Sequence, residues 1–178
     1  MMSLSFTLYL FVAIFAVIGM TRGTTKEMLV TMSLVVSMLL IAFLEKYIPP
    51  VMALAPDGKE LFFVRVGSII VLAVIGYQTV RLSPLQIKTD RKHAFDAVAG
   101  AALGALNGFL IIGCIWYFMA QANYPFPQFV LPPVPGTEMG DSTLSLMKWL
   151  PPAYSFYSIP WLTAASIICF VVILWLIL

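Results

Sequence analysis

The polar side chains that stand inside or beside long apolar runs are the first candidates for chemistry in this sequence. Asn107 is the one strongly polar residue in the interior of the apolar run 95–119, away from Asp96 at its start. A polar group at depth in a membrane often marks an ion or proton path, but an asparagine on a small-residue face is also an ordinary contact between helices, worth ~0.6–2 kcal/mol. We predict the contact role for Asn107.

A charged cluster stands between the first two apolar runs and contains Arg22, Lys26 and Glu27. Arg22 and Lys26 are expected to share a face, and Glu27 suits the positive end of the following helix. We predict a topology anchor and a helix start capped by Thr24 or Thr25. The alternative is a docking contact with another protein or with lipid headgroups.

Groups that could catalyse a reaction are scarce. Glu45 and Asp96 lie at the ends of apolar runs, and no carboxylate falls in the middle of one. A proton-coupled transporter needs an ionisable group at depth, so this pattern counts against transport. The sequence also lacks the motifs of the nucleophile elbow, the zinc-protease helix and the phosphate-binding loop. We therefore predict that the protein is not an enzyme.

Metal ligands are equally scarce, because His93 is the single histidine and the two cysteines, Cys114 and Cys169, fall inside apolar runs. We expect buried free thiols and an interfacial position for His93 within a basic patch. Glu138 and Asp141 offer too few oxygens for calcium and are expected to be solvated or to cap a helix. We predict no cofactor and no metal.

The composition indicates whether the protein is surrounded by water or by lipid. Of the 178 residues, 61% are hydrophobic and only 10% are charged, whereas soluble domains average roughly 45–50% and 25%. We predict an all-α integral membrane protein with the lipid bilayer as its first partner. The net charge of +2 is too small to suggest nucleic acid as a partner.

Five apolar runs predict five transmembrane helices, of which the first is a retained helix and not a cleaved signal peptide. Four of them form a bundle within residues 1–120. A long Pro-rich aromatic loop with a short helix follows over 121–160, and the fifth helix covers 161–178. In the fourth run, Gly100, Gly104 and Gly108 recur every fourth residue with Asn107 on the same face, which predicts a helix-packing stripe.

The Pro-rich loop is too apolar for ordinary disorder and is expected to lie on the membrane face or on a partner. Asp141 is expected to cap a short helix over 142–150 that ends at Pro151 and Pro152. We predict that the aromatic residues here contact the membrane interface or a partner: Trp149, Tyr154, Phe156, Tyr157 and Trp161.

The distribution of basic residues predicts the orientation. The first and third connections hold six Lys and Arg residues, against four on the other side, where Arg65 is expected to extend toward the headgroups. This places the N-terminus and the Pro-rich loop outside the cell and the C-terminus inside.

Two stretches together resemble the colicin V production protein family, known as CvpA. Residues 19–27, GMTRGTTKE, match an Arg-Gly pair followed by a basic residue and Glu, here Arg22, Gly23, Lys26 and Glu27. Residues 96–113, DAVAGAALGALNGFLIIG, are similar to the glycine-rich last helix of the family. The resemblance covers residues 1–120 and implies a bacterial inner-membrane protein of about four helices without established enzymatic activity.

Three functions fit these observations. The first is a structural or accessory subunit of a larger membrane assembly, held to other membrane-protein subunits by packing faces and the apolar loop. The second is a small channel or transporter, working as a homo-oligomer, with a pore lined by Ser33, Ser37, Gln78 and Asn107. The third is an envelope factor that supports secretion of a peptide toxin.

Overall fold

The computed structural model describes residues 4–82, 93–153 and 158–177, with side chains described in 4–78, 94–153 and 158–172. These residues form α-helices and one short 3-10 turn. In chain order they are α1 (Leu4–Arg22), α2 (Thr24–Tyr47), α3 (Pro49–Met52), α4 (Lys59–Leu82), α5 (His93–Gln121), α6 (Glu138–Met147), the 3-10 turn (Pro151–Ala153) and α7 (Ile159–Ile177).

Helices α1, α2, α4 and α5 are long and apolar enough to cross a membrane. Helix α7 follows at the predicted place and has 19 residues, of which the described apolar part, Ile159–Val172, is shorter than a full span. The prediction of an all-α multi-pass membrane protein is confirmed.

Helix α5 is the centre of the bundle, because it lies along α1 and also contacts α2 and α4, while α7 packs on α2. The α1–α5 crossing is close because it is lined by glycine. A Cβ atom built on Gly104 would lie only 2.9 Å from the Cα atom of Gly19, and one on Gly100 only 3.0 Å from the Cα atom of Gly23. Backbones can approach this closely only where side chains are absent.

The apolar core lies where α2, α4 and α5 meet. Helix α2 contributes residues at helical spacing, and α4 and α5 contribute Ile69, Cys114 and Phe118. The α2 residues are Val30, Leu34, Met38 and Ile41. Dispersion contacts hold such a core together, since lipid is as apolar as the side chains.

The start of α2 differs from the prediction that Thr24 or Thr25 caps it. Gly23 occupies the N-cap position with φ of 86°, and the Thr24 amide donates to Asp96 Oδ1 at 3.0 Å. A carboxylate from another helix therefore caps α2. The sequence analysis placed Asp96 only at the end of an apolar run and did not foresee this contact, because Asp96 lies 72 residues from Thr24.

The short helix of the loop begins earlier than predicted. It covers Glu138–Met147, and its N-cap is Thr137, whose side chain accepts a hydrogen bond from the Gly140 amide at 3.0 Å. Asp141 lies inside the first turn and accepts from the Gly136 amide at 3.0 Å. Pro151 follows as predicted, but it begins a 3-10 turn.

The end of this loop folds back into the bundle. Leu150 is fully buried in one apolar cluster with Leu8 and Trp116. Pro151 Cδ would lie 3.0 Å from a Cβ atom built on Gly113, a residue about 12 Å along α5 from its end at about 1.5 Å per residue. The loop is therefore partly inserted between helices and does not lie wholly on the membrane face.

Candidate functional site

A buried ion pair lies where the chain turns from α1 into α2. Glu27 is 0% exposed, its Oε1 atom is 2.8 Å from Arg22 Nε, and the Arg22 side chain is 25% exposed. Gly23 separates the two helices with a positive φ, a conformation that glycine adopts readily. This sharp turn lets the last residue of α1 face the first turn of α2.

Asn107 of α5 completes the cluster from the other side. Its Nδ2 atom donates to Glu27 Oε2 at 2.9 Å and to the Glu27 carbonyl oxygen at 3.1 Å. Its Oδ1 atom accepts from Thr31 Oγ1 at 2.7 Å. We call Arg22, Glu27, Thr31 and Asn107 the Glu27 cluster. Hydrogen bonding of this kind is what allows a carboxylate to remain buried.

Tyr77 of α4 covers the cluster from the third side. The Arg22 guanidinium carbon lies 4.5 Å from the centre of the Tyr77 ring, within the range of a cation–π contact. Beside this pair a groove of about 430 Å³ runs between α1, α4 and α5. Its walls are mainly apolar, with Phe15, Ile70 and Val74 among them.

The sequence reasoning missed the Glu27–Asn107 contact. It noted that no carboxylate falls in the middle of an apolar run, and it did not foresee that the glycine crossing brings Glu27, at the α1–α2 turn, against Asn107 of α5. Arg22 and Lys26 were expected to share a face, but they belong to different helices, and Lys26 is exposed. The glycine at 23 and the stripe on α5 were the signals that could have suggested this convergence.

The profile of the family described as Colicin V production protein matches residues 4–134 of this chain. The chain belongs to that family. The match contains the Arg22–Glu27 motif and the glycine-rich helix that together form the Glu27 cluster, and it extends beyond residue 120 into the Pro-rich loop. No curated protein and no solved structure matches the chain.

This family member has a second buried ion pair at the other end of the bundle. Arg65 is 8% exposed and donates to both carboxylate oxygens of Glu45, at 2.7 and 3.1 Å, and to Gln121 Oε1 at 2.8 Å. Its guanidinium carbon lies 5.1 Å from the Phe118 ring centre. The sequence analysis expected Arg65 to extend toward the headgroups, and the structure shows its side chain buried against Glu45 of α2.

The four residues predicted to line a pore lie in different environments. Ser33 Oγ donates to the carbonyl oxygen of Leu29 in its own helix at 3.0 Å. Ser37 and Asn107 are fully buried, whereas Gln78 is exposed beside the groove. The structure therefore does not bring the four together along one passage.

The predicted interface aromatics lie only partly within the described residues. Trp149 and Trp161 are both exposed, while Tyr154, Phe156 and Tyr157 lie outside the described residues, as does the side chain of His93. Cys114 and Cys169 are free thiols, the first of them buried. Within 4–78, 94–153 and 158–172, no three His, Cys, Asp or Glu side chains are grouped as a metal site.

A set of exposed apolar side chains occupies the loop before α7. Phe129 is 85% exposed, and the others are more than half exposed. We call this set the loop patch: Phe129, Leu131, Val134, Met139 and Trp149.

Proposed function

We propose that this member of the colicin V production family is a non-enzymatic accessory subunit of a larger membrane assembly, which it joins through the loop patch. The observation that carries the proposal is the exposure of apolar side chains on a segment outside the spanning helices, with Phe129 at 85%. Exposed apolar side chains concentrated on one segment, here five within 129–149, are typical of interaction sites.

The way the loop is anchored supports this role. Leu150 is buried with Leu8 and Trp116, and Ser5 Oγ lies 3.1 Å from Thr143 Oγ1. Side chains held on a fixed support lose less conformational entropy when they bind, and this favours affinity. The loop patch is therefore suited to protein contact.

Native electrophoresis after mild extraction from the native membrane tests the proposal. We expect the wild-type chain to migrate as part of a complex larger than its own 19.7 kDa, and Phe129→Asp to release it. The matched control is Val17→Ser, which changes a side chain on α1 that is 59% exposed and leaves the loop unchanged. A wild-type protein that extracts as a clean, stable monomer would refute the subunit role.

The second candidate is a small channel or transporter, which the buried Arg22–Glu27 pair favours because ionisable groups within membrane proteins commonly mark transport paths. The separation of the predicted pore residues makes it the weaker candidate. Liposome flux that Asn107→Leu abolishes would reverse this preference. A defect in peptide-toxin secretion on deletion, with no change in complex size, would support the envelope-factor role.

We place the protein in the bacterial inner membrane with the N-terminus and the loop patch outside. The excess of Lys and Arg in the first and third connections supports this orientation. The loop patch would then meet its partner outside the cytoplasm.

A further inference from the structure

We propose that the groove between α1, α4 and α5 binds one anionic phospholipid of the surrounding bilayer, with its phosphate on Arg22 and an acyl chain along α4. We call it the Arg22 groove. Its volume is about 430 Å³, within the ~300–1,000 Å³ typical of ligand sites.

The walls of the Arg22 groove fit an acyl chain. Phe15 of α1, Ile70 and Val74 of α4, and Ile111 of α5 line it. Ile70 and Val74 are 48% and 45% exposed, so the groove opens sideways toward lipid. From Ile70 to Tyr77 the wall follows α4 for about 10 Å, and Tyr77 and Arg22 stand at its polar end.

The position of Arg22 matches the headgroup level of one leaflet. Glu27 and Glu45 hold the two buried ion pairs at opposite ends of α2. At about 1.5 Å per residue, they are about 27 Å apart, close to the ~30 Å thickness of the bilayer hydrocarbon. The Arg22 groove therefore runs from one headgroup level toward the midplane, as a phospholipid does.

Arg22 has hydrogen-bonding capacity left for a phosphate. Its side chain is 25% exposed, and neither Nε, which forms the ion pair with Glu27, nor Nη2 has a hydrogen-bond partner among the residues that the structure describes. A guanidinium carries five N–H donors and binds phosphate oxygens in pairs. The Glu27 carboxylate is 0% exposed, so a headgroup entering the groove meets the guanidinium and not the carboxylate.

The charge around this end favours an anionic lipid over a zwitterionic one. Lys26 is exposed on the first turn of α2 and adds positive charge near Arg22. A zwitterionic headgroup would bring its own cation to the same place, which costs electrostatic energy. We therefore expect phosphatidylglycerol to bind more tightly than phosphatidylcholine with the same acyl chains.

Native mass spectrometry of the purified full chain, titrated with each of these two lipids, tests the proposal. We expect the first phosphatidylglycerol to bind about tenfold more tightly than phosphatidylcholine, because the two lipids offer the same phosphate but only phosphatidylcholine brings a cation beside Arg22 and Lys26. Arg22→Gln should remove this preference. Glycerol phosphate, which has no acyl chain, should not displace the bound lipid, and displacement would overturn the assignment of the apolar walls.

A matched pair of variants keeps the test decisive if Arg22→Gln does not fold. Val74→Trp places a large side chain in the Arg22 groove at a lining position that is not part of the ion pair, and we expect it to remove the preference. Val71→Trp lies one turn away on α4, is 58% exposed in the wild type and does not line the groove, so the preference should persist. Equal binding of both lipids to the wild type, or a preference that survives Val74→Trp, would overturn the proposal.

The lipid proposal can fail independently of the subunit role. The Arg22 groove lies at the α1–α2 turn, whereas the loop patch lies at the other end of the bundle. Val74→Trp should therefore leave the complex on native electrophoresis intact, and Phe129→Asp should leave the lipid preference intact.

Discussion

Replacing Asn107 by leucine should lower the free energy of unfolding in a bilayer by about 2–4 kcal/mol. The side chain is fully buried, and leucine has nearly the same volume, so the change removes polar contacts without opening a large cavity. The loss combines about 1.5–3 kcal/mol for the hydrogen bond to the charged Glu27 with roughly 0.6 kcal/mol for the Thr31 bond, a typical value within a membrane.

Thr31→Val is the control, because it removes only the 2.7 Å hydrogen bond to Asn107 Oδ1 and the 3.1 Å bond to the Glu27 carbonyl oxygen. We expect it to cost about 0.5–1 kcal/mol, well below Asn107→Leu. Steric trapping in bicelles measures the free energy of unfolding of both variants under the same conditions.

A double-mutant cycle locates the origin of the loss. Glu27→Gln with Asn107→Leu should show a coupling energy of at least about 1 kcal/mol, since the two side chains share a 2.9 Å hydrogen bond. Additive losses, or an Asn107→Leu variant as stable as the wild type, would mean that the cluster is not held together as the distances indicate.

Three further predictions concern packing, the second ion pair and orientation. Gly104→Ala should destabilise the bundle by about 2 kcal/mol or more, because the new Cβ meets the α1 backbone, whereas Gly67→Ala, with nothing within 4 Å, should be neutral or stabilising by about 0.5–1 kcal/mol in the same unfolding assay. Arg65→Lys should cost roughly 1–2 kcal/mol, since an ammonium cannot replace the two-point contact with a carboxylate, and an unchanged stability would contradict the buried pairing. In a cysteine-free background, Phe129→Cys in intact cells should react with a membrane-impermeant thiol reagent and Lys26→Cys only after permeabilisation, and the reverse pattern would invert the orientation.

The sequence predicted the elements that depend on local pattern. Apolar runs of sufficient length predicted the positions of α1, α2, α4 and α5. In hydrocarbon, a single chain segment can hydrogen-bond its own backbone N–H and C=O groups only as a helix. The fourfold spacing of Gly100 and Gly104 likewise predicted a close crossing, although not which helix would lie against it.

The polar contacts could not be predicted, because each joins residues from different helices. Asn107 is a neighbour of Glu27 only once α1 and α5 have packed. Arg65 has a long side chain that could equally extend to headgroups, and only the position of Glu45 on α2 decides between the two. The cap of α2 by Asp96 shows the same limit, since local rules favour the threonines beside it.

The burial of Leu150 beside Leu8 and Trp116 has a mechanical consequence. The match to the family profile ends at residue 134. Leu150 lies beyond this match and packs between α1 and α5. A force applied to the loop by a bound protein would reach the N-terminal end of α1 and, through that helix, the glycine crossing with α5. In this member, α1 would therefore couple movement of the loop to movement of the α1–α2 turn.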